Sequence, residues 1–442
     1  MSSVIKVNTV QDADGNNIIN ESGDVITVGA AGDTVTVAGN VVKSNALQAS
    51  DAGNIVSQSG TTITIGASGD TVALASGASQ TGFGSNPFKN IIINGDMSIA
   101  QRGTSFTGLG DADSKYTLDR FKWSEEGSSG TAEFTITQST DVPTGQGFAT
   151  SLKLDCTTAD TSIDSGNIIY IEQRVEGQNL QYLKYGTSSA ESTTLSFWVK
   201  SNKTGTYTVN ALGDVAGSGK LYSQAYTISS ANTWEKKTLT FIGDTALAIN
   251  NNSSNGLQLM WNLLAGTDKS SGSVQTWGSN TQANRAPGQV NLADSTSNEL
   301  YITGIQWEAG TSATDFEHLP FDINLKRCER YYEVIVDGSD GIGLQVVGIG
   351  CHTYKVDQIN MPVMFKTQKR ANSPSLEYVS GAYYEMRTHS STVTTSSMGI
   401  TGAETGKQNA VPYFNTSGQT EHEGWTMYVQ NTAAHMAFSS EL

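Results

Sequence analysis

The 442-residue sequence has few charged residues, and its basic residues are fewer than its acidic ones. Charged side chains make up 15 % of the sequence, and the formal net charge is −16. An ordinary soluble domain has roughly 25 % charged residues. Neutralising nucleic-acid phosphates requires clustered Lys and Arg, and the sequence has no such cluster. The composition therefore excludes a nucleic-acid partner.

Cysteine and long apolar runs are also scarce. The three cysteines, Cys156, Cys328 and Cys351, have spacings that fit neither a disulfide framework nor a zinc site, so we expect reduced, buried thiols. No stretch approaches the ~20 apolar residues of a membrane span, and the start, MSSVIKVNTV, lacks the apolar core of a secretory signal. We therefore expect folding in a cytosol and no membrane insertion.

The sequence patterns of common catalytic sites are missing as well. There is no GxSxG, P-loop, dinucleotide fingerprint or HExxH, and the five histidines lack ligand spacing. Cys351 and His352 are adjacent, but adjacent residues of a strand point to opposite faces, and EHE at 421–423 is typical of a solvated turn. Glu172 and Glu176 are carboxylates of the kind that act on glycans, yet a chain with 42 acids contains such pairs by chance. We expect no enzyme, no cofactor and no metal site.

Small and β-branched residues are what the sequence has in quantity. Its 46 glycines, with abundant Ser, Thr and Asn, supply tight turns and a neutral polar surface. Thr, Val and Ile favour extended backbone, whereas the residues that build long helices are rare. The composition and length predict an all-β chain of several folded units.

Residues 1–86 contain an internal repeat. The segment NIINESGDVITVGAAGDTV at 17–35 recurs 37 positions later as NIVSQSGTTITIGASGDTV at 54–72. Short strands separated by Gly- and Asp-rich turns are typical of a solenoid or a stacked fibrous shaft. Each strand's apolar face is too small to form a core alone, so we expect identical chains to complete it, as a homotrimer. The alternative is a flexible linker of Gly/Ser type.

Residues 87–320 are expected to form an antiparallel β-sandwich with jelly-roll-like topology. Many of its segments alternate apolar and polar residues, which places one face on a core and the other in water. No helical pattern intervenes between them. The predicted strands are FTIT from Phe134, SLKLDC from Ser151, NIIYIEQRV from Asn167, TLSFWVK from Thr194, YTVNAL from Tyr207, EKKTLTF from Glu235, LQLMWNLL from Leu257 and ELYITGIQWEAG from Glu299.

A short connector helix, within 321–333, is expected to lead to a smaller β-sandwich. In DINLKRCERYYE, Asp322 is placed to cap a helix, and Leu325, Cys328 and Tyr332 share one face. Residues 334–442 again show strand patterns and predict a C-terminal β domain. The predicted strand segments are EVIVDG, GLQVVGIGCHTYKV, MPVMFK, SLEYVSGAYYEMRT, TVTTSSMGIT and WTMYVQ.

Both ends of the central region resemble a known domain. NIIINGDMSIAQRGTSFT at 90–107, followed by YTLDRFKW at 116–123, is similar to the opening of a domain in tail-fibre and minor structural proteins of bacteriophages. The segment ITGIQWEAGTSATDFEHLPFDINLKRCERYYE at 302–333 is similar to the end of that domain. The resemblance implies a virion protein, assembled in the host cytoplasm, that contacts other tail or capsid proteins.

The same family is similar in build to carbohydrate-binding jelly rolls, some of which hold a structural calcium ion. In those modules the opening strand often carries an Asn-Gly-Asp-like element, and the last strand contributes an acidic residue. Here Gly304 stands where that acid is expected, so the resemblance does not imply calcium. Asp96 and Glu308 are available as oxygen ligands, but an Asn-Gly-Asp at a strand boundary is more often a turn.

Sugar recognition is predicted in the C-terminal domain. Aromatic faces stack on pyranose rings, and neutral amides and hydroxyls bond to sugar hydroxyls. Trp198 and Trp261 stand in apolar runs and are expected to lie in the core. The predicted ligand-binding residues, which we expect to be exposed among Gly, Ser and Asn, are Tyr383, Tyr384, Tyr413, Phe414 and Trp425.

Together these patterns predict a tail-fibre-like phage virion protein. It is expected to attach to the particle by its N-terminus and to bind a host surface receptor, a glycan, through its β domains, with the C-terminal domain at the tip. Three linked sites in a trimer gain avidity through effective concentration. The alternative is a capsid decoration or tail connector protein with a purely structural role. A third reading is an accessory sugar-binding module of an enzyme system.

Overall fold

The chain divides into two compact units, Met1–Gly84 and Ser85–Leu442, which are described separately. The computed structural model describes six strands of the first unit and residues 88–110, 114–127, 130–213, 219–340, 346–395 and 397–442 of the second. The predicted boundary segment GFGSNP, at 82–87, lies outside the described residues. No described helix is both long enough and apolar enough to cross a membrane.

The sequence repeat of the first unit is also a repeat of structure. Its strands are β1 Thr9–Gln11, β2 Asn17–Ser22, β3 Val25–Val28, β4 Ala46–Gln48, β5 Asn54–Ser59 and β6 Thr62–Ile65. They form two three-stranded antiparallel sheets, β1-β2-β3 and β4-β5-β6, whose strands correspond at a shift of 37 residues. The pairing is irregular at the same place in each, between Val10 and Gln11 and between Leu47 and Gln48.

The second unit begins with a two-sheet sandwich, which confirms the predicted all-β, jelly-roll-like class. Its strands are β7 Ser105–Leu109, β8 Ser114–Tyr116, β9 Lys122–Glu126, β10 Glu133–Ser139, β11 Ser151–Thr158, β12 Ile168–Glu176, β13 Thr193–Ser201, β14 Gly205–Gly213, β15 Lys220–Ile228, β16 Glu235–Phe241, β17 Asn255–Ala265, β18 Gly278–Ser279 and β19 Glu299–Ala309. A short helix, α1 Thr267–Ser270, and 3₁₀ turns at Gly177–Asn179, Gln181–Leu183 and Gln282–Asn284 lie between strands.

The two sheets exchange strands repeatedly. One sheet has the order β16-β13-β19-β11-β10-β7, and the other has the order β18-β15-β14-β17-β12-β9-β8, with antiparallel pairing. The chain crosses between sheets after β7, β9, β11, β12, β13, β15, β16 and β18, which is the connectivity of a jelly-roll-like sandwich. Side chains of both inner faces fill one core. Among them, Trp123, Trp261 and Trp307 are at most 2 % exposed.

Of the two tryptophans predicted to lie in the core, one does and the other does not. Trp261 lies in the core, as predicted. Trp198 does not: it is only half-buried, because it points away from the core while its neighbours Phe197 and Val199, on the other face of β13, point into it.

The two segments that carry the family resemblance meet along β19, in the interior of the six-stranded sheet. The Asn90 amide donates to the Ile305 carbonyl at 3.0 Å, and its oxygen accepts from the Trp307 backbone at 3.0 Å. In the Asn-Gly-Asp element, the Met97 N–H donates to the Asn94 carbonyl and closes a turn. Any side chain at Gly95 would collide with the Ile305 carbonyl. These motif residues therefore close the sandwich.

The C-terminal part of the second unit is a smaller sandwich. Its strands are β20 Tyr332–Asp337, β21 Val346–Lys355, β22 Gln358–Asn360, β23 Val363–Met364, β24 Ser375–Tyr378, β25 Tyr384–Arg387, β26 Thr392–Thr395, β27 Met398–Ile400, β28 Asn409–Ala410, β29 Pro412–Asn415, β30 Gly424–Val429 and β31 His435–Ser439. The sheets are β20-β31-β24, β26-β25-β30-β21-β22-β29-β27 and the pair β23-β28. Residues of all three sheets share a second core. Two 3₁₀ turns, Gly338–Asp340 and Gly402–Glu404, complete this part.

The connector helix is shorter than predicted. Helix α2 runs from Phe321 to Glu329; Pro320 stands at its N-cap, and no side chain caps it, so Asp322 does not. Tyr332 belongs to β20, because pairing with β31 takes the chain into the sheet directly after the helix. The buried face of α2 places Cys328 against a small apolar cluster.

Buried ionic contacts join the central sandwich to the residues that follow it. Arg330, just after α2, pairs with Glu176 of β12 through two nitrogens, at 2.6 and 2.7 Å. Arg120 stacks over the ring of Tyr331 at 3.5 Å and pairs with Glu441. The two sandwiches of the second unit are thus connected by charged groups that are withdrawn from water.

Candidate functional site

Three of the five aromatic residues predicted to bind ligand are buried. Tyr384, Phe414 and Trp425 are at most 3 % exposed and lie in the core of the C-terminal sandwich. The hydroxyl of Tyr384 donates to the His435 carbonyl at 2.7 Å, and the Trp425 ring N–H donates to Thr353 at 2.7 Å. The prediction that these three side chains are exposed is wrong, because they point inward from their strands.

The other two predicted residues, Tyr383 and Tyr413, are half-buried. Tyr383 precedes β25 and Tyr413 lies in β29, and three strands separate β25 from β29 in the sheet. At ~4.8 Å per strand the two strands are about 19 Å apart. The structure does not bring these side chains together, and their ligand-binding role stays a prediction.

A different site lies in the central sandwich, on the outer face of the sheet β18-β15-β14-β17-β12-β9-β8. Residues of β12 alternate between two clusters: Ile169 and Ile171 lie in the main core, whereas Ile168 and Tyr170 lie in a separate outer cluster with Met260. A strand that is apolar on both faces is covered on both sides. This outer face is therefore partly covered.

The cover is residues 266–290, which connect β17 to β19. Its attachment to the sheet is polar: the Asn262 amide donates to the Arg285 carbonyl at 3.0 Å, and the Thr208 N–H donates to Gln289 at 2.9 Å. Within the cover, the Ala286 N–H donates to the Lys269 carbonyl at 2.9 Å. These bonds fix the cover over β14 and β17.

Beside the cover, an open groove of about 190 Å³ runs across the sheet; we call it the sheet groove. Tyr170, Leu212 and Met260 provide its apolar surface. Its polar side chains come from separate parts of the chain and are Glu126, Arg174, Gln258, Asn280, Gln282 and Arg285. Sites for small polar ligands combine an apolar surface with a few convergent polar groups in this way.

A charged network holds one wall of the sheet groove. The Tyr170 hydroxyl donates to Glu126 at 2.9 Å, Arg285 pairs with the same carboxylate, and Lys269 donates to Gln282 at 2.6 Å. Desolvation raises the pKa of Glu126, but the hydrogen bond and charge of Arg285 outweigh it and lower that pKa to about 2. Glu126 is therefore an anion at neutral pH and is neutralised locally.

In three side chains that line the sheet groove, buried polar atoms have no hydrogen-bond partner in the described part of the chain. They are Nε of Arg174, Oδ1 of Asn280 and Nε of Arg285. More than nine in ten buried polar groups in proteins are satisfied, so such a concentration is unusual. Two of these atoms are donors and one is an acceptor, and a ligand hydroxyl can serve either.

The carboxylates considered for catalysis act as ionic anchors. Glu172 and Glu176 are fully buried. Glu172 pairs with Arg174 at 3.1 Å, and Glu176 pairs with Arg330. Arg174 engages Glu172 and Arg330 engages Glu176, and neither acid lines the sheet groove.

Gly304 occupies the position where the resemblance would place an acidic calcium ligand. This residue has φ +62°, and a side chain there would meet the Phe148 ring at 2.6 Å, so an acidic ligand does not fit at this position. Asp96 accepts from Asn324 at 3.1 Å, and Glu308 accepts from the Thr314 N–H at 2.9 Å. Within the described ranges, no group of three or more His, Cys, Asp or Glu is arranged to hold a metal.

The solved structures described next are distant from this chain in sequence and in fold. No family model and no curated protein matches the chain. A solved structure of the enzymatically active domain of bacteriophage CBA120 tailspike protein 4 matches at 16 % identity and a TM-score of 0.28, covering 51 % of this chain and 22 % of that one. The alignment therefore spans less than a quarter of the tailspike chain.

Two carbohydrate-binding modules match in the same way. A family 22 module of Clostridium thermocellum has 10 % identity and a TM-score of 0.25, covering 47 % of this chain and 96 % of the module. A xylan-binding domain of Paenibacillus barcinonensis has 15 % identity and a TM-score of 0.23, covering 42 % and 91 %. With TM-scores this low, the three likenesses assign no function to this chain, and its resemblance to phage tail-fibre proteins stays a prediction.

Proposed function

We propose that this chain binds a glycan, without cleaving it, in the sheet groove of its central sandwich. One observation carries the proposal: an open groove over an apolar floor is lined by three side chains whose buried polar atoms have no partner in the described part of the chain. A saccharide supplies donors and acceptors on every face and leaves no charge to desolvate. The proposed site is in the central sandwich and not in the C-terminal domain.

The proposed setting is a phage virion, with the chain acting as a tail-fibre-like homotrimer attached by its N-terminal segment. The repeat supports this role, because two matching three-stranded sheets are a modular unit of the kind that extends a shaft. Isolated sheets of this size are only marginally stable unless something packs on them. The resemblance at 90–107 and 302–333 supports the virion setting. In this proposal the host surface glycan is the receptor.

The alternative is a capsid decoration or connector protein with a purely structural role. It leaves the partnerless atoms of the sheet groove without a ligand. Labelling the C-terminus and imaging particles by electron microscopy separates the two: a free distal end fits attachment to a host, and an end buried in the capsid or tail fits the alternative.

Asn280→Ala tests the proposed site. Oδ1 of Asn280 accepts no bond in the described part of the chain, so its loss costs little folding stability but removes a ligand contact. A glycan array probed with the full-length protein should show selective binding that falls about 5- to 10-fold in Asn280→Ala. The control is Asn251→Ala, an exposed residue outside the groove, which should bind like the wild type.

Two outcomes of this experiment contradict the proposal. One is an absence of selective binding on arrays that include host surface polysaccharide. The other is equal binding by wild type and Asn280→Ala. The proposal that the protein does not cleave the glycan is tested separately. The protein should release no reducing ends from a polysaccharide that it binds. Release of reducing ends that is lost when the protein is heat-treated would show that it is an enzyme.

A further inference from the structure

A second cleft, of about 380 Å³, lies where helix α2 meets the central sandwich. The segment 88–93, the end of β12 and the 3₁₀ turn Gln181–Leu183 form its sandwich side, and α2 forms the other. Its volume falls in the ~300–1,000 Å³ range of small-molecule sites. We call it the helix cleft. It is a separate opening from the sheet groove, although Arg174 borders both.

The helix cleft is basic in a strongly acidic protein. Arg174, Arg327 and Arg330 line it, while the whole chain carries a formal charge of −16. Arg174 and Arg330 are neutralised by Glu172 and Glu176. Arg327 is not: it forms no ion pair among the described residues, and its guanidinium makes one hydrogen bond, to the Asn90 carbonyl at 3.1 Å.

Glu317 is the carboxylate whose charge affects the pKa of Arg327 most, and it already accepts hydrogen bonds from other groups. Glu317 accepts hydrogen bonds from the backbone N–H groups of Phe88, Lys89 and Asn90, the last at 3.0 Å. Burial lowers the pKa of Arg327, and the charge of Glu317 only partly opposes this. An arginine nevertheless keeps its proton at neutral pH. The cleft therefore presents a partly desolvated cation with free donors.

Two aromatic side chains stand at the cleft and face water. Phe88 is 60 % exposed and Tyr182 is 49 % exposed, values that are high for residues of this size. Phe88 also has φ +64°, a left-handed conformation that is unusual for a bulky residue, and the Glu317 contact holds its backbone there. Exposed rings beside an unpaired guanidinium suit a ligand with both a flat face and an anionic group.

We infer that the helix cleft binds a hexuronic acid residue, a sugar ring that carries a carboxylate. The guanidinium of Arg327 pairs with the carboxylate in the fork geometry that arginine and carboxylates share. Tyr182 and Phe88 contact the ring faces. The rest of the protein repels an anion, so the basic cleft is where an acidic saccharide is held. This site goes beyond the sheet groove, whose proposed ligand needs no charge.

The test is calorimetric titration of the full-length protein with two matched trisaccharides. One is α-1,4-linked trigalacturonic acid, and the other is its carboxyl-reduced, neutral counterpart. In Asn280→Ala, whose sheet groove is weakened, the acidic trisaccharide should bind and the neutral one should bind far more weakly. Raising the salt concentration from about 50 to about 300 mM should weaken the acidic complex, because it depends on charge.

Arg327→Gln should reduce affinity for the acidic trisaccharide about 10- to 100-fold, the effect of losing a charge-assisted hydrogen bond. Tyr182→Ala gives a second variant that keeps the fold, since this side chain is half-exposed, and it should also weaken binding. The matched control is Arg387→Gln, in the C-terminal sandwich with 41 % of its side chain exposed, which should leave affinity unchanged.

The inference is overturned if trigalacturonic acid does not bind, if the neutral trisaccharide binds equally well to Asn280→Ala, or if both Arg327→Gln and Tyr182→Ala bind the acidic trisaccharide like the wild type. Asn280→Ala separates this result from the sheet groove. It should leave uronate binding intact, whereas Arg327→Gln should leave binding of neutral glycans intact. Failure at one site is therefore distinguishable from failure at the other.

Discussion

Replacing Glu176 by Gln should destabilise the second unit, because its carboxylate holds Arg330 next to the central sandwich. The carboxylate is fully buried and accepts from two Arg330 nitrogens and from the Tyr331 hydroxyl at 2.5 Å. Breaking a buried ion pair costs about 3–5 kcal/mol. Arg330 keeps 23 % of its side chain exposed and can rehydrate, so we expect the lower end, about 3 kcal/mol.

The assay is thermal unfolding of the full-length protein. For the roughly 360 residues of the second unit, an unfolding entropy of about 2.1 cal/mol/K per residue converts 3 kcal/mol to a decrease in Tm of about 4 °C. The control is Glu191→Gln, whose carboxylate pairs with Lys184 while both side chains are about half-exposed. An exposed pair contributes at most about 1 kcal/mol, so Tm should fall by about 1 °C or less.

The same substitution has a defined pH dependence. Desolvation raises the pKa of Glu176, but the hydrogen bonds and charges around it, above all those of Arg330, outweigh this and lower that pKa. A carboxyl group with a lowered folded-state pKa stabilises the protein above its unfolded pKa, about 4.3, and loses this effect as the pH falls further. The difference between wild type and Glu176→Gln should shrink below about pH 4. Equal Tm values at pH 7 for Glu176→Gln and Glu191→Gln would refute this account.

Three further outcomes are expected. Gly304→Ala should lower Tm more than Gly108→Ala. Both residues have a left-handed backbone, at φ +62° and +64°, but only at Gly304 would a new side chain collide with the Phe148 ring. Equal decreases in Tm would show that this collision does not contribute. Burial raises the pKa of Asp119 to about 6, so wild type should lose about 3 kcal/mol relative to Asp119→Asn as pH rises from about 3 to about 7 in urea unfolding. A constant difference would contradict this. Light scattering of the intact protein at micromolar concentration should give a trimer, and a monomeric mass would contradict the proposed assembly.

Much of the strand order follows from local pattern. All eight strands predicted for the central sandwich are present, because each alternates or carries a β-branched run between turn residues. Five strands, β7, β8, β9, β15 and β18, were not predicted. In β15, KLYSQAYTI mixes polar and apolar residues on both faces, and its pairing with β14 fixes it as a strand. The helix α2 was overextended, since the sequence does not show where pairing with β31 begins.

The candidate sites were harder to predict because they depend on contacts between distant segments. Tyr383 and Tyr384 have similar neighbours in sequence, yet Tyr384 is fully buried in the core whereas Tyr383 is half-buried and packs against it. The sheet groove joins Glu126, Asn280 and Arg285, which no local motif connects. One signal was available: IIYIEQRV is apolar at both parities near its start, which indicates a strand covered on both faces.

The most direct test of glycan binding in the sheet groove is a crystal structure of the full-length protein with an oligosaccharide selected on the array. The account predicts sugar density over Tyr170, with hydroxyl groups within hydrogen-bond distance of the Asn280 side-chain oxygen and the Arg285 Nε. Density for a bound sugar at the C-terminal sandwich, with the sheet groove unoccupied at saturating ligand, would contradict it.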